Sequence, residues 1–242
     1  MRFMLMFAAA GMLSACGGGN DAANVAAPAG SVATVTPPAG QDWSQTVSQT
    51  AENGYRMGNP DARLKLVEYG SRLCPGCRLF YTEGNTPLVE HYVKTGKVSY
   101  EFRDFPVHGP VDIPSILLGH CVANEAFFPV LDQMFESQPA FLEKQSKLSQ
   151  ERYAQLQNDP VALAGWLAAE MGYVNFVQQR GVPEARAKQC LSDRAAIEKI
   201  AADAQAATEK GVGGTPTFFL NGSKIEAGDW RGVEAALKQA GA

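Results

Sequence analysis

The clearest alternation of hydrophobic and polar positions lies in residues 98–103, where every second side chain is apolar. This period of two predicts a strand with one buried face. Leu64–Tyr69 has apolar residues at positions of both faces and predicts a fully buried strand. Between them, residues 74–96 carry an apolar stripe at helical spacing, and Thr86–Pro87 predicts a kink or a restart in that helix. Strand, helix and strand together predict a right-handed parallel βαβ unit.

The second half of the chain changes period twice. From about 112 to about 210 the apolar spacing is helical, without an internal repeat. Thr217–Leu220 then predicts a strand, Asn221–Gly222 a two-residue turn, and residues 224–225 the partner strand. Asp229 is placed to cap a final helix. The predicted order is therefore β-α-β, a helical block, and β-β-α.

The start of the chain has a different composition. Residues 1–15 combine a positive charge with an apolar run too short to span a bilayer, which predicts a signal peptide. Residues 16–41 are rich in Gly, Ala, Pro, Ser and Thr and have hardly a charge, so we expect a flexible tether. The folded domain is expected over 42–242. It begins with a strand over 43–47 and a tight turn at Asn53–Gly54 into a second strand.

Composition narrows the class of protein. A chain of 242 residues with 45% hydrophobic residues has ample material for a core. The net charge of −4 and the lack of a basic stripe argue against a nucleic-acid partner. The histidines are scattered, and we expect them to be surface or capping residues: His91, His108 and His120.

The five cysteines leave one over if the others pair, and an odd count in an exported protein requires a separate fate for one of them. Leu13-Ser14-Ala15-Cys16 resembles the bacterial lipobox, in which the cysteine is lipidated and the chain is cut before it. The alternative is an ordinary signal peptide with a chance cysteine. Lipidation implies a periplasmic protein anchored to a membrane, and Gly17 favours the outer membrane. Export also places the chain where disulfides form.

Two cysteines carry the candidate chemistry, Cys74 and Cys77, separated by Pro75 and Gly76 at a strand-to-helix junction. The N–H groups and dipole of a helix N-terminus favour a thiolate there, and Pro75 suits the first helical position. We therefore predict that Cys74 is the nucleophile and that Cys77, one turn on, resolves the mixed disulfide. The alternative is half of a zinc site, but a second pair of ligands at short spacing is missing from the sequence.

Several motifs in this order resemble the DsbA-like family of disulfide oxidoreductases over roughly Trp43 to the C-terminus. The resemblance implies an α/β, thioredoxin-like fold with a helical insertion at about 112–210. It implies no cofactor besides the cysteine pair. The motifs are Gly58–Ala62, Val67–Tyr69, the CxxC, Phe102–Pro106 and Gly213–Phe219.

The same resemblance assigns further site residues. Thr215–Pro216 matches the family's cis-proline loop, which lies beside the two cysteines and holds a substrate strand by main-chain bonds. The alternative is an ordinary trans turn. Glu68 matches the acidic residue buried beneath the active site, where desolvation raises its pKa and lets it relay a proton to or from Cys77. Glu68 on the protein surface is the alternative.

Cys121 and Cys190 remain once Cys16 is lipidated and the active pair is set aside. Both lie in the helical block of a protein expected in an oxidising compartment. We predict that they form a structural disulfide across that block, with two buried free thiols as the alternative.

Three functions fit the sequence. The first is a monomeric thiol oxidase that acts on exported proteins with free thiols and is reoxidised by an unidentified membrane partner. The second is a periplasmic reductase or isomerase, and the third is a non-catalytic binding lipoprotein. Strong oxidases of the family carry histidine where Gly76 stands, and we treat Arg72 and Arg78 as exposed cations that act weakly. We therefore predict a reduction potential between about −270 and about −120 mV.

Overall fold

The computed structural model describes residues 30–242, so the predicted signal peptide and Cys16 lie outside it. None of the helices in these residues is long and apolar enough to cross a membrane. The strands are β1 Val47–Gln49, β2 Tyr55–Met57, β3 Leu64–Gly70, β4 Val98–Asp104, β5 Thr217–Leu220 and β6 Ser223–Ile225. The α-helices are α1 Pro75–Leu88, α2 Ile113–Gly119, α3 Phe127–Glu136, α4 Gln138–Gln145, α5 Gln150–Leu156, α6 Pro160–Glu170, α7 Tyr173–Gln178, α8 Glu184–Leu191, α9 Arg194–Glu209 and α10 Trp230–Gln239.

The strands form one mixed sheet in the order β1-β2-β4-β3-β5-β6. Strands β3 and β4 are parallel and are connected through α1, as the hydrophobic pattern predicts, and the other neighbours are antiparallel. The predicted turn between β5 and β6 is also confirmed. Asn221 and Gly222 have φ angles of 50° and 82°, the positive values that a two-residue hairpin of this type requires. Central strand β3 thus has a neighbour on each side and ends at the cysteine pair.

Two local predictions are wrong. Residues Trp43–Gln45 form a 3-10 turn rather than the start of a strand, because the Asp42 carboxylate accepts a hydrogen bond from the Ser44 N–H at 2.8 Å and caps the turn. Of the two alternatives predicted at Pro87, a kink or a restart, the restart is wrong. The helix continues through the proline and changes to π-helical hydrogen bonding over Val89–Val93.

Separate apolar clusters stabilise the two parts of the fold. One face of the sheet packs on α1, α3 and α10 through an aromatic-rich cluster that includes Phe80, Phe102 and Phe218. The helical insertion has its own cluster, in which Phe141 and Tyr173 pack with ring centroids 4.5 Å apart. The insertion is therefore a packed unit in its own right, and it lies against the end of the sheet that carries the cysteine pair.

A disulfide crosses this insertion. It joins Cys121, just after α2, to Cys190 in α8, with Cα atoms 6.1 Å apart and a sequence separation of 69. In the chain-entropy model a loop of this length stabilises the folded state by about 4 kcal/mol at most.

The predicted tether extends too far along the chain. Val32 is buried in the main core, and its N–H donates to the Gly241 carbonyl at 2.7 Å. The Val35 N–H donates a hydrogen bond to the Thr95 carbonyl at 2.9 Å, and the Val35 carbonyl accepts one from the indole N–H of Trp43 at 2.7 Å. Composition suggested a tether up to residue 41 because isolated valines between glycines and alanines show no period. Two of them nevertheless find partners on the folded domain.

Candidate active site

The two cysteines of the CxxC motif lie where the sequence predicts, at the junction of β3 and α1. Cys74 is the N-cap of α1 and Pro75 occupies its first turn. Both thiols are free, so the structure represents the reduced pair. Cys74 keeps 7% of its surface exposed, whereas Cys77 has none. A substrate thiol arriving from solvent can therefore reach only Cys74.

The surroundings of Cys74 favour its thiolate. The Cys77 thiol, the largest influence, donates a hydrogen bond towards the Cys74 sulfur, and the N–H groups of Gly76 and Cys77 point to it as well. Together with a contribution from Thr215 they outweigh desolvation and lower the pKa of Cys74 to about 5. In the protonated form, Cys74 Sγ lies 3.1 Å from the Thr215 carbonyl oxygen. The helix N-terminus thus holds a charged nucleophile at neutral pH without a histidine in the motif.

Cys77 has the opposite electrostatics. Complete burial raises its pKa well above the usual range, and the negative charges of Cys74 and Glu68 raise it further. The neighbouring thiols therefore divide the work: one is ready to react as an anion, and the other holds its proton.

Glu68 lies on β3, directly beneath this pair. Its register partners are Phe102 and Phe218, and only 1% of its surface is exposed. Burial raises the pKa of Glu68 to about 8, although a hydrogen bond from Tyr100 opposes that shift. The Tyr100 hydroxyl lies 2.6 Å from Glu68 Oε2. Burial thus favours the neutral form of Glu68 at pH 7, and its carboxyl lies within hydrogen-bonding range of Cys77.

The loop before β5 borders the cysteines on the other side. The Thr215–Pro216 peptide bond is cis, as the resemblance implies. Gly76 packs against this loop so closely that a Cβ there would meet Pro216 Cδ at 3.0 Å. The Thr215 hydroxyl is buried without a hydrogen-bond partner among the described residues, beside the sulfur of Cys74. Gly76 therefore leaves room for Pro216, and it also leaves the motif without the histidine that strong oxidases of the family carry there.

Gln138 is a site residue that the sequence did not reveal. It begins α4, 64 residues after Cys74, and is 2% exposed. Its amide nitrogen donates to the carbonyl oxygens of Arg72 and Cys74, at 2.9 Å each. The helical insertion thereby holds the turn that carries the nucleophile. No short motif signals this contact, because the partners are backbone atoms far away in sequence.

Arg72 is buried, which corrects its treatment as an exposed cation. It is 1% exposed, forms an ion pair with Asp104, and lies over the Phe102 and Phe127 rings at 5.7 and 5.6 Å. His120, the C-cap residue of α2 as the capping alternative expects, joins this cluster through Asp104 at 2.8 Å. Burial alone would raise the pKa of Asp104, but the Arg72 guanidinium and a hydrogen bond from His120 hold it below its usual range. Arg72 is thus neutralised beneath the site.

A second loop is fixed at the same end of the sheet. Buried Asp112 accepts hydrogen bonds from the Ser71 hydroxyl at 2.9 Å and from the His108 N–H at 2.7 Å. Ser71 in turn accepts from the Leu73 N–H at 3.0 Å. The loop after β4 and the turn before Cys74 are therefore held by one carboxylate. Within residues 30–242, no group of His, Cys, Asp and Glu side chains is arranged to hold a metal ion.

Comparison with known proteins identifies the family. The family model described as thioredoxin matches residues 50–239. A putative protein-disulfide oxidoreductase from Rickettsia bellii is 28% identical over 192 residues, which cover 78% of this chain and 65% of that protein. This chain spans 57% of a second such protein, from Rickettsia prowazekii. The match thus spans less than two thirds of the length of these relatives.

Solved structures agree. A protein-disulfide isomerase from Novosphingobium aromaticivorans superposes with a TM-score of 0.71 at 26% identity, over 76% of this chain and 95% of that one. Alpha-DsbA1 from Wolbachia pipientis superposes with a TM-score of 0.59 at 23% identity, over 78% of this chain and 90% of that one. The predicted fold class, with its helical insertion, is confirmed. Since the family model covers most of the chain and the cysteine pair lies at its strand–helix junction, the chain belongs to the thioredoxin family.

Proposed function

We propose that this protein is a thiol:disulfide oxidoreductase that oxidises cysteine pairs of exported proteins through Cys74 and Cys77. The observation that carries the proposal is the contrast between the two thiols. One is reachable and stabilised as a thiolate, and the other is sealed beside a buried acid. A reduced form stabilised in this way releases its electrons reluctantly, so the disulfide form is an oxidant.

The reaction starts from the Cys74–Cys77 disulfide. A substrate thiolate attacks the exposed sulfur of Cys74, the S–S bond breaks, and Cys77 leaves with the electron pair and takes a proton from Glu68. A second substrate thiolate then attacks the substrate sulfur of the mixed disulfide and releases Cys74 as a thiolate. The substrate loses two electrons and gains a disulfide, the CxxC gains those two electrons, and Glu68 regains its proton from solvent.

The decisive experiment measures oxidation of a reduced, unfolded protein of known disulfide pattern in glutathione buffer. We expect turnover by the wild type and none by Cys74→Ser. The Cys121→Ala/Cys190→Ala variant is the control for loss of a disulfide elsewhere and should keep turnover. In cells, Cys77→Ala should accumulate mixed disulfides at Cys74. If it accumulates none, the fold serves as a binding platform and the proposal is wrong.

An isomerase or reductase is the second candidate. The similarity to the Novosphingobium protein-disulfide isomerase favours it, at 26% identity over 95% of that chain. A substrate with scrambled disulfides separates the two activities. An isomerase restores native pairing from the reduced CxxC without a net gain of disulfides, whereas an oxidase acts only from the disulfide form on free thiols.

The site of action follows from the first residues of the chain. We propose a periplasmic protein lipidated at Cys16 and held on the outer membrane, because Leu13–Cys16 resembles a lipobox. Its electrons then pass to a membrane-bound oxidase. Cys16→Ser should release the protein from membranes. Mass spectrometry that finds an unmodified Cys16 in the cellular wild-type protein would contradict the anchor without touching the redox chemistry.

A further inference from the structure

Tyr100 and Glu68 form an isolated buried pair on neighbouring strands. The Tyr100 hydroxyl lies 2.6 Å from Glu68 Oε2, and the residues are 6% and 1% exposed. The other carboxyl oxygen, Oε1, has no hydrogen-bond partner among the described residues. The Tyr100 hydroxyl makes one hydrogen bond among the described residues, to Glu68.

This arrangement decides which carboxyl oxygen carries the proton. A phenol has one proton to donate, and burial and the Glu68 charge raise the pKa of Tyr100 far enough to keep it protonated. If Oε2 carried the acid proton and donated it to Tyr100, the phenol proton would lack an acceptor in a dry environment, at a cost of about 1–3 kcal/mol. The satisfied arrangement has Tyr100 donating to Oε2, with the acid proton of Glu68 on Oε1.

Oε1 points to the active-site end of β3. A Cβ built on Gly70, two residues closer to the cysteines, would lie 3.0 Å from that oxygen. The Phe102 ring fills the space that a side chain at Gly70 would occupy. The Glu68 carboxyl is within hydrogen-bonding range of Cys77. The proton on Oε1 is therefore held by no other described group and can pass to Cys77.

We propose that Tyr100 is a positioning residue that directs the acid proton of Glu68 to Cys77. This proposal rests on the exchange activity proposed above. When Cys77 leaves the active disulfide as a thiolate, Oε1–H gives its proton to the sulfur and Glu68 becomes a carboxylate. Tyr100 keeps donating to Oε2 and stabilises that charge. The step moves one proton and no electrons beyond those already transferred to the cysteines.

The groups that face this pair are few. The N-cap of α1 contributes Cys74, whose negative charge opposes ionisation of Glu68. Helix α1 contributes Cys77, whose thiol favours ionisation of Glu68 through a hydrogen bond and whose negative charge opposes ionisation of Tyr100. Helix α3 contributes Asp132, whose charge acts on Tyr100. Strand β5 contributes Phe218, which is apolar and opposite Glu68 in the register. Two neutral donors, the Tyr100 hydroxyl and the Cys77 thiol, thus lower the pKa of Glu68, and of these Tyr100 takes no part in thiol exchange.

Tyr100→Phe tests the proposal, because the ring keeps its packing on Phe128, 5.7 Å away between centroids, and only the hydroxyl is lost. Tyr92→Phe is a matched control: it also removes a tyrosine–carboxylate hydrogen bond, to Glu234 at 3.1 Å, at a distance from the cysteines. NMR titration of the Glu68 carboxyl should give a midpoint raised by about one unit or more in Tyr100→Phe and unchanged in Tyr92→Phe.

The rate at which a dithiol reduces the oxidised protein at neutral pH should fall about tenfold in Tyr100→Phe, from one mispositioned proton transfer. In a Glu68→Gln background the same substitution should have no further effect. An unchanged Glu68 midpoint and rate in Tyr100→Phe would overturn the positioning role while leaving oxidation by the wild type intact. Absence of oxidation by the wild type would instead overturn the proposed function.

A wild-type measurement guards against a variant that fails to fold. Because the hydroxyl bonds Oε2 in both protonation states, the Tyr100 ring signals should titrate with the Glu68 midpoint, and the Tyr92 signals should not. Independent midpoints for Tyr100 and Glu68 would refute the coupling without any substitution.

Discussion

The low pKa of Cys74 makes the stability of the reduced protein depend on pH in a predictable direction. In the folded protein the thiol titrates at about 5, whereas in an unfolded chain a cysteine titrates at roughly 8.5. Between these values the unfolded chain binds a proton that the folded protein does not. The contribution of Cys74 to the free energy of unfolding therefore rises with pH across this window. It reaches its full value above about 8.5 and is lost as the pH falls through about 5.

The slope follows from linkage. One proton corresponds to about 1.4 kcal/mol per pH unit, so the full window would give about 5 kcal/mol. Cys74 keeps part of its surface exposed, so water partly screens its charge, and we expect about 2–3 kcal/mol between pH 5 and pH 8. Glu68 acts in the opposite direction, because its pKa is raised to about 8 and the unfolded chain releases its proton first.

A comparison with Cys74→Ser isolates the thiol, because Glu68 contributes to both proteins and a serine does not titrate in this range. Both are unfolded in urea at several pH values after reduction with a stoichiometric dithiol, and a thiol count verifies that the Cys121–Cys190 disulfide survives. The difference in unfolding free energy, wild type minus variant, should increase from pH 5 to pH 8. A difference that stays flat or declines over this window would refute the thiolate assignment.

Three further substitutions probe the surroundings of the nucleophile. Thr215→Val removes a hydroxyl beside the sulfur and should raise the thiol pKa and lower the reduction potential, as measured by equilibration with glutathione. Gly76→His should move the potential upward by adding a donor. It should also cost about 1 kcal/mol in urea unfolding, because its Cβ meets Pro216 Cδ at 3.0 Å. Gln138→Leu leaves the Arg72 carbonyl without its donor and should cost about 1–3 kcal/mol, with a raised thiol pKa by ultraviolet titration.

Elements with a strong local pattern were predictable from the sequence. The parallel β3–α1–β4 unit follows from the hydrophobic period. The β5–β6 turn follows from Asn221–Gly222, two residue types that tolerate positive φ. The exceptions have local causes too. Asp42 caps a 3-10 turn where alternation suggested a strand, and the helix continues through Pro87 before it changes to π-helical bonding.

Burial of polar side chains was harder to predict, because it depends on partners remote in sequence. Arg72 reads as a surface cation until Asp104, 32 residues later, neutralises it beneath the site. Val32 reads as part of a tether until the C-terminus supplies a carbonyl for its N–H. In each case a desolvated group is tolerated only because the folded chain supplies its hydrogen bond or counter-charge.

The sequence by itself indicated the candidate cysteine pair, the helix N-terminus that favours a thiolate, and the order of elements, since these depend on residues close together along the chain. Only the tertiary structure decided the difference between the two thiols. Cys77 is buried by packing, and Gln138, 64 residues further along the chain, donates a hydrogen bond to the Cys74 carbonyl. Tyr100 donates a hydrogen bond to Glu68 from the neighbouring part of the sheet. Spacing can place a charge beside a helix, but desolvation and hydrogen-bond direction arise only when distant segments meet.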